Sequence, residues 1–314
     1  MNLKAVPVIA IAGPTCTGKT WLSLRLAEEL GSEIIACDSR TIYRYMDIGT
    51  AKPSLDEQVR VKHHMLDIVD PTETYTVARY KDDAEPIIEN LIENGKPPII
   101  CGGTGFYFRN LLEGLSIPAV APQIELRHSL NEIGDNQGNQ VLHAKLQELD
   151  PISADRINAN DRFRIVRALE VSIVSGQPFS QLATKHDPAY RVIWVGLYCN
   201  DRKVLDDLIQ KRLMEQIEQG LLQEVQSLIS RFGHCHSLLH TVAYKEYVQH
   251  LDNEIDLQEA FALCARHTYQ LARRQLMWFR SNEKFCWFAI DEIDRQQMLL
   301  DVLLMARRAI AGDA

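Results

Sequence analysis

Gly13-Pro14-Thr15-Cys16-Thr17-Gly18-Lys19-Thr20 reads G-x-x-x-x-G-K-T, the pattern of a turn that cradles phosphate oxygens. An apolar run, Val8-Ile9-Ala10-Ile11-Ala12, precedes it and predicts a buried strand. Behind it Leu22, Leu26 and Leu30 recur at helical spacing. Strand, loop and helix in that order put consecutive backbone N–H groups and the positive end of a helix in front of an anion. Gly13 and Gly18 let the backbone wrap the anion with no Cβ in the way. Lys19 adds a mobile positive charge, and the Thr20 hydroxyl is placed to ligate a Mg²⁺ carried by the phosphates. The stretch specifies a polyphosphate, without saying which one or what becomes of it.

Working outward, Glu33 to Cys37 reads as a second buried strand ending at Asp38-Ser39, and Pro97 to Gly103 as a third ending in glycines before Thr104. Repeated strand–helix units predict an α/β fold: a P-loop parallel-sheet core with helices on both faces. In such sheets ligands sit at the carboxyl ends of the strands. The P-loop, Asp38-Ser39 and Gly102 to Thr104 therefore converge on one crevice. The segment Arg40 to Pro53 reads as a loop rather than a core element, and His63 to Ile68 as a short connection. Val77 to Asn94 is helical, with Pro86 predicting a kink or a break. After Pro118 and Pro122 the pattern changes to helices without strands: Ile124 to Ile133, Val141 to Leu149, Asp161 to Ser175 and Ser180 to His186. This predicts an inserted all-helical subdomain over 118–188, between core segments 1–117 and 189–314. The strand-like Tyr190 to Leu197 returns the chain to the sheet. Helices follow over Val204 to Phe232, interrupted at Gly220, and over Leu257 to Arg280. Phe285 to Ile290 is a last strand, and Arg295 to Ile310 a closing helix.

The 314 residues suffice for a large domain plus a smaller one. A chain 46% hydrophobic and 24% charged is of the ordinary globular kind. No apolar run approaches the ~20 residues that span a bilayer. Met1 to Val8 lacks a signal-peptide layout, so the cytoplasm is the expected location and a monomer the default state. The 7 cysteines are scattered and do not form a disulfide framework. Cys37, Cys101, Cys199 and Cys286 fall in or beside strand-like runs, as small apolar residues do. His234-Cys235-His236 lacks the paired spacing of a zinc site.

A net charge of −8 argues against a nucleic-acid partner on average, but the charge is unevenly placed. Arg266, Arg273 and Arg280 recur every seventh residue, with Arg274 and Lys284 close by and no acidic residue from Arg266 to Asn282. Solvated helix faces mix signs, so a one-sign stripe points to a polyanion. The apolar face of that helix is read as Phe261, Cys264, Leu271 and Trp278. Arg156, Arg162, Arg164 and Arg167 form a second basic cluster. Asp38, at a strand end facing the P-loop, either holds the metal, acts as a general base, or caps a turn. Arg212, bordering an apolar helix face, either snorkels outward or pairs with phosphate inside.

Several stretches together resemble the tRNA dimethylallyltransferase (tRNA isopentenyltransferase) family. They are GPTCTGKT at 13–20, CDSRTIYRYMDIGTAKP at 37–53, HHMLDI at 63–68, GGTGFY at 102–107, NDRFRIVRALEV at 160–171, EQGLLQEV at 218–225, YKEY at 244–247 and RRQLMWFR at 273–280. The resemblance implies transfer of a dimethylallyl group from dimethylallyl diphosphate to the exocyclic amine of an adenosine beside the tRNA anticodon, with Mg²⁺. It implies that the P-loop, Gly13 to Thr20, holds a diphosphate leaving group. Asp38 is then the general base, Thr104 contacts the amine, and Arg212 joins Lys19 on the diphosphate. By the same resemblance Ser39, Arg40, Thr41, Arg127, Phe163, Arg164, Ile165, Val166 and Arg167 fall on tRNA-contacting stretches, and the anticodon arm is the partner. His63 matches a family histidine of open role. Ala243 stands where the family usually has Gly, Met277 where it has Thr, and Met214 near a usual carboxylate.

Rival readings are a P-loop kinase of a small metabolite, an NTP-dependent RNA-binding module, and an isopentenyltransferase acting on free adenine nucleotides. The basic stripe, with Arg273 and Arg274 as tRNA contacts, favours the tRNA enzyme over the kinase and the free-nucleotide enzyme. Asp38 and Thr104 at adjoining strand ends favour an enzyme over a mere binder.

Overall fold

A computed structural model describes residues 6–312, so the reading of residues 1–5 lies outside the described residues. Strand β1 (Val8–Ala12) is buried along its whole length. The P-loop follows, and helix α1 (Lys19–Leu30) starts from Gly18 and stops at Gly31, both left-handed. Then come β2 (Ile34–Ala36), α2 (Leu55–Arg60), β3 (His63–His64), α3 (Val77–Glu93), β4 (Ile99–Gly102) and α4 (Gly105–Leu112). Two expectations change here. His63-His64 is a short edge strand pairing with β2, not a bare connection. α3 runs unbroken through Pro86.

Leu112–Pro188 forms one compact unit and the rest of the described chain the other. The smaller unit is all helical: α5 (Ile124–Gln137), α6 (Asn139–Leu149), α7 (Pro151–Arg156), α8 (Arg162–Ser175) and α9 (Phe179–Leu182). Its core is Leu130, Leu142, Leu146, Ala154, Ile165, Val166, Ala168 and Leu169. The sequence reading missed α7, whose Asp150 cap accepts the Ser153 N–H, and ran α9 too far.

The larger unit resumes with β5 (Val192–Tyr198), α10 (Arg202–Glu218), α11 (Leu221–Phe232), α12 (His236–Leu239), α13 (Tyr244–Leu251), α14 (Leu257–Arg280), β6 (Cys286–Ala289) and α15 (Arg295–Ala311). The sheet order is β3-β2-β4-β1-β5-β6, all parallel. Alternation along the strands divides the core. Ile9, Ile11, Ile34, Ile99, Val195 and Leu197 pack with Leu22 and Leu26 of α1 and Val302 and Leu303 of α15. On the other face the Tyr80 hydroxyl of α3 bonds Ala36 O of β2 at 3.0 Å. There Phe108 of α4 meets Trp194 of β5 and Phe279 of α14. The apolar side of α14 is Ala260, Cys264, Thr268, Ala272 and Phe279; Phe261 and Trp278 are only half-buried, so the stripe is rotated from the one read in the sequence. Cys286 is exposed, unlike a core strand cysteine, and all 7 cysteines are free.

β1 lies between β4 and β5, and the chain leaves it for β2 on one side and returns as β5 on the other. Its carboxyl end is thus a switch point, where open parallel sheets bind ligands.

Candidate active site

Gly13 must be glycine: a Cβ there would lie 2.2 Å from Leu197 O, and its φ is +148°. Cys16 and Gly18 are both left-handed, at φ 65° and 81°. These turns curl the loop into a nest of N–H groups ahead of α1. Pro14 O accepts from Thr17 Oγ1 at 2.8 Å and from Lys19 Nζ at 2.5 Å. Burial pushes the Lys19 pKa below the usual lysine value; Cys101 and Asp38 oppose that and Arg212 adds to it. An incoming polyanion favours the charged form again. Arg212 points inward, its Nη1 2.9 Å from Thr15 Oγ1 and 3.5 Å from Cys16 Sγ.

The strand ends converge as expected. Gly102 lets β4 close on β2, since a Cβ would stand 2.1 Å from Cys37 O. Thr104 then bonds across: its N–H donates to Cys37 O at 3.2 Å, and its Oγ1 accepts the Ser39 N–H at 2.9 Å. Asp38 Oδ1 accepts the Arg40 N–H at 2.8 Å.

Two cavities meet here. The first, about 400 Å³, is walled by Thr15 to Thr20, Asp38, Thr41, Cys101 and Arg212, with Ile34, Ala36, Ala51, Pro53 and Leu66 among its apolar lining. The second, about 390 Å³, is walled by Asp38, Ser39, Arg40, Thr104, Arg212, His240, Ala243 and Arg274. Thr15, Asp38, Thr50, Arg212 and Gln275 belong to both. The arrangement suits a polyanion with an apolar tail on one side and a planar polar acceptor on the other, with one carboxylate between them. His63 Nδ1 stands 2.8 Å from Val61 O, which fixes the proton on that nitrogen and leaves the buried Nε2 without a partner. Burial lowers the His63 pKa. Both His63 and Thr41, whose Oγ1 is also unpartnered, line the first cavity. Thr41 therefore faces the P-loop side rather than the wall with Ser39 and Arg40.

The described residues hold no group of three or more His, Cys, Asp or Glu that could hold a metal. Mg²⁺ needs no such cage: it takes one or two protein oxygens, waters and phosphate oxygens. Thr20 on the wall of the first cavity fits that need.

The loop 40–53 is more than a surface connection. Ile42, Tyr43 and Met46 are buried. Lys52 Nζ, itself buried, holds Tyr43 O and the Asp47 and Asp67 carboxylates, each at 2.6 Å. From α11, Glu224 accepts the N–H groups of Asp47, Ile48 and Gly49 at 3.0, 2.9 and 3.3 Å, and the Tyr244 hydroxyl at 2.6 Å.

Other expected contacts stand elsewhere. In the helical unit Arg127 and Arg167 both bind Glu170, whose side chain is fully buried. Ile165 and Val166 are core residues, so their side chains meet no partner; Phe163 and Arg164 are exposed. On α14, Arg266, Arg273, Arg274 and Arg280 are exposed. The sequence reading assigned no role to Gln275 or Glu224. Each is a polar residue inside a quoted stretch, and its partners lie too far along the chain to be read from spacing.

Residues 41–282 match the family described as IPP transferase, and residues 6–69 match the family described as isopentenyl transferase. The chain is 42% identical over 293 residues to a protein named tRNA dimethylallyltransferase from Cyanothece sp., covering 93% of this chain and 95% of that one. It is 45% identical over 281 residues to one of the same name from Acaryochloris marina, covering 90% and 92%. A solved structure of the full-length tRNA isopentenylpyrophosphate transferase from Bacillus halodurans matches with a TM-score of 0.72 at 34% identity, covering 98% of this chain and 97% of that one.

Proposed function

This chain belongs to the IPP transferase family, and from that membership we infer that it transfers a dimethylallyl group from dimethylallyl diphosphate to tRNA. The acceptor is the exocyclic N6 amine of the adenosine 3′-adjacent to the anticodon, and the product is N6-isopentenyladenosine. The observation that carries the reading is the meeting of two cavities at Asp38 and Arg212. A donor in the P-loop cavity and a base in the other then react across a shared wall.

The bond from the allylic carbon to the diphosphate oxygen breaks, and a bond from N6 to that carbon forms. The leaving diphosphate gains negative charge, which the nest of N–H groups, Lys19 and Arg212 stabilise most where it is greatest. The amine is a weak nucleophile because its lone pair is delocalised. Asp38 accepts its proton, a contribution of typically ~10²–10⁴-fold. Thr104, fixed by Ser39, orients the amine. The apolar lining that includes Ile34, Ala36 and Leu66 suits the prenyl tail. The base leaves its stack to reach the second cavity, while Arg40 and Arg274 offer charge to the backbone. Mg²⁺, held by Thr20 and the phosphates, would neutralise diphosphate charge when bound.

Unmodified tRNA, Mg²⁺ and radiolabelled dimethylallyl diphosphate, with adenosine monophosphate as a parallel acceptor, test the reading. Label in tRNA alone is expected. Label in the mononucleotide alone replaces the partner, and label in neither overturns the reading. Asp38→Ala is expected to abolish transfer with tRNA affinity within threefold of wild type; retained turnover removes Asp38 as base.

A further inference from the structure

Gln275 lies on α14, between the basic residues Arg273 and Arg274 and the core residue Phe279. Its amide makes two bonds to distant segments. Oε1 accepts the Thr15 N–H of the P-loop at 2.9 Å, and Nε2 donates to Gly103 O at 3.1 Å. The orientation of the amide is fixed by its partners, because an N–H must meet a C=O and the reverse. Gly103 is glycine to admit this contact: a Cβ there would lie 2.3 Å from Gln275 Nε2 and 3.8 Å from Asp38 Oδ2. Thr104, the next residue, carries the hydroxyl that holds Ser39. Gln275 also lines both cavities. It is therefore a strut between the loop that carries the donor and the loop that presents the acceptor.

We propose that Gln275 is a positioning residue for the transfer, setting the distance and angle between the diphosphate-bearing P-loop and the Asp38–Thr104 wall. The proposal rests on the reaction inferred above. Losing the strut removes neither Lys19 and the P-loop from the first cavity nor Ser39, Arg40 and Thr104 from the second. What changes is their mutual alignment, to which the rate is steeply sensitive; a displacement of 1 Å can cost about 10²-fold. The signature is a loss in the chemical step without a matching loss in binding.

The test is single-turnover prenyl transfer with enzyme in excess over labelled tRNA, because its rate constant is independent of the fraction of enzyme that is active. Q275M keeps the side-chain length and removes both bonds. Q275E keeps the bond from Thr15 N and sets a carboxylate against Gly103 O, so the two variants fail for different local reasons. Both are expected to slow transfer by ten- to a hundredfold, with the KM for each substrate within threefold of wild type. A rate within twofold of wild type in either folded variant overturns the proposal. So does a raised KM for tRNA at unchanged rate, which makes Gln275 an RNA contact only. A wild-type chain that transfers nothing to tRNA fails at the earlier step and is seen before any variant is made.

Discussion

Ala243 stands at φ 77° and ψ −32°, a positive-φ conformation where a β-carbon is crowded. The strain of such a sparsely populated conformation costs an L-residue roughly 1–3 kcal/mol. Glycine would remove it, but would also give up a buried methyl worth about 0.8 kcal/mol and add chain entropy to the unfolded state worth about 0.4–1 kcal/mol. The terms nearly cancel. Ala243→Gly is therefore expected to move Tm by less than about 2 °C in a thermal melt; a gain well beyond that would show the strain to be larger than its neighbours offset. The Glu246 carboxylate accepts the Ala243 N–H at 2.8 Å and holds the residue in place from three positions on. The same arithmetic explains how a position that favours glycine tolerates alanine in the wall of the second cavity. The other two departures, Met214 and Met277, are 51% and 62% exposed and disturb no packing.

Among the elements, α8 carries the most consequential buried charge. Burial pushes the Glu170 carboxyl up, but Arg127, the Gln123 N–H and Arg167 outweigh it and hold the pKa at about 2. A carboxylate depressed in the folded state adds stability above its usual value near 4.3, and that stability is lost as pH falls toward 2. The span corresponds to about 3 kcal/mol. Glu170→Gln is expected to lower stability by roughly that amount at pH 7, and the gap to wild type should narrow below pH 4 and close as pH falls through 2 in denaturant titrations. A gap of constant size across that range would mean the ion pairs contribute little. These bonds add what spacing does not show: Arg127 of α5 and Arg167 of α8 pair with Glu170 inside the fold. The acid within the RALEV stretch was the available signal. The long elements α1 and α14 and strands β1, β4 and β5 could be read because their periodicity runs over many residues. β3, with two residues, and the four-residue α9 and α12 carry too little pattern. The crevice itself followed from the P-loop and the strand ends. Gln275 and Glu224 did not, because their partners lie 260 and about 175 residues away in sequence.

For the whole molecule, a net charge of −8 and the proposed RNA partner are reconciled by placement. Arg266, Arg273, Arg274 and Arg280 of α14 make no ion pair among the described residues, while Arg280 lies over the Tyr198 ring at 5.2 Å. On the proposed function, tRNA phosphates are expected to supply the counter-charge that these arginines lack. Binding to tRNA is expected to weaken steeply with salt. Replacing Arg273 and Arg274 together by Ala should reduce the slope of log K against log salt by about one to two units. An unchanged slope in filter-binding titrations removes these residues from the interface.

The loop 40–53 bears on all of this. Loops beside active sites are commonly the soft part of an enzyme. This one is bolted from within by Lys52 and from behind by Glu224, and its Thr50, Ala51 and Pro53 face the P-loop cavity. It is a cast mould rather than a closing lid. On the reaction proposed above, the room for the prenyl group is expected to be set before any substrate arrives, and donors to be sorted by the fit of their tails. A longer or hydroxylated tail is then expected to be accepted or refused by the width of that mould.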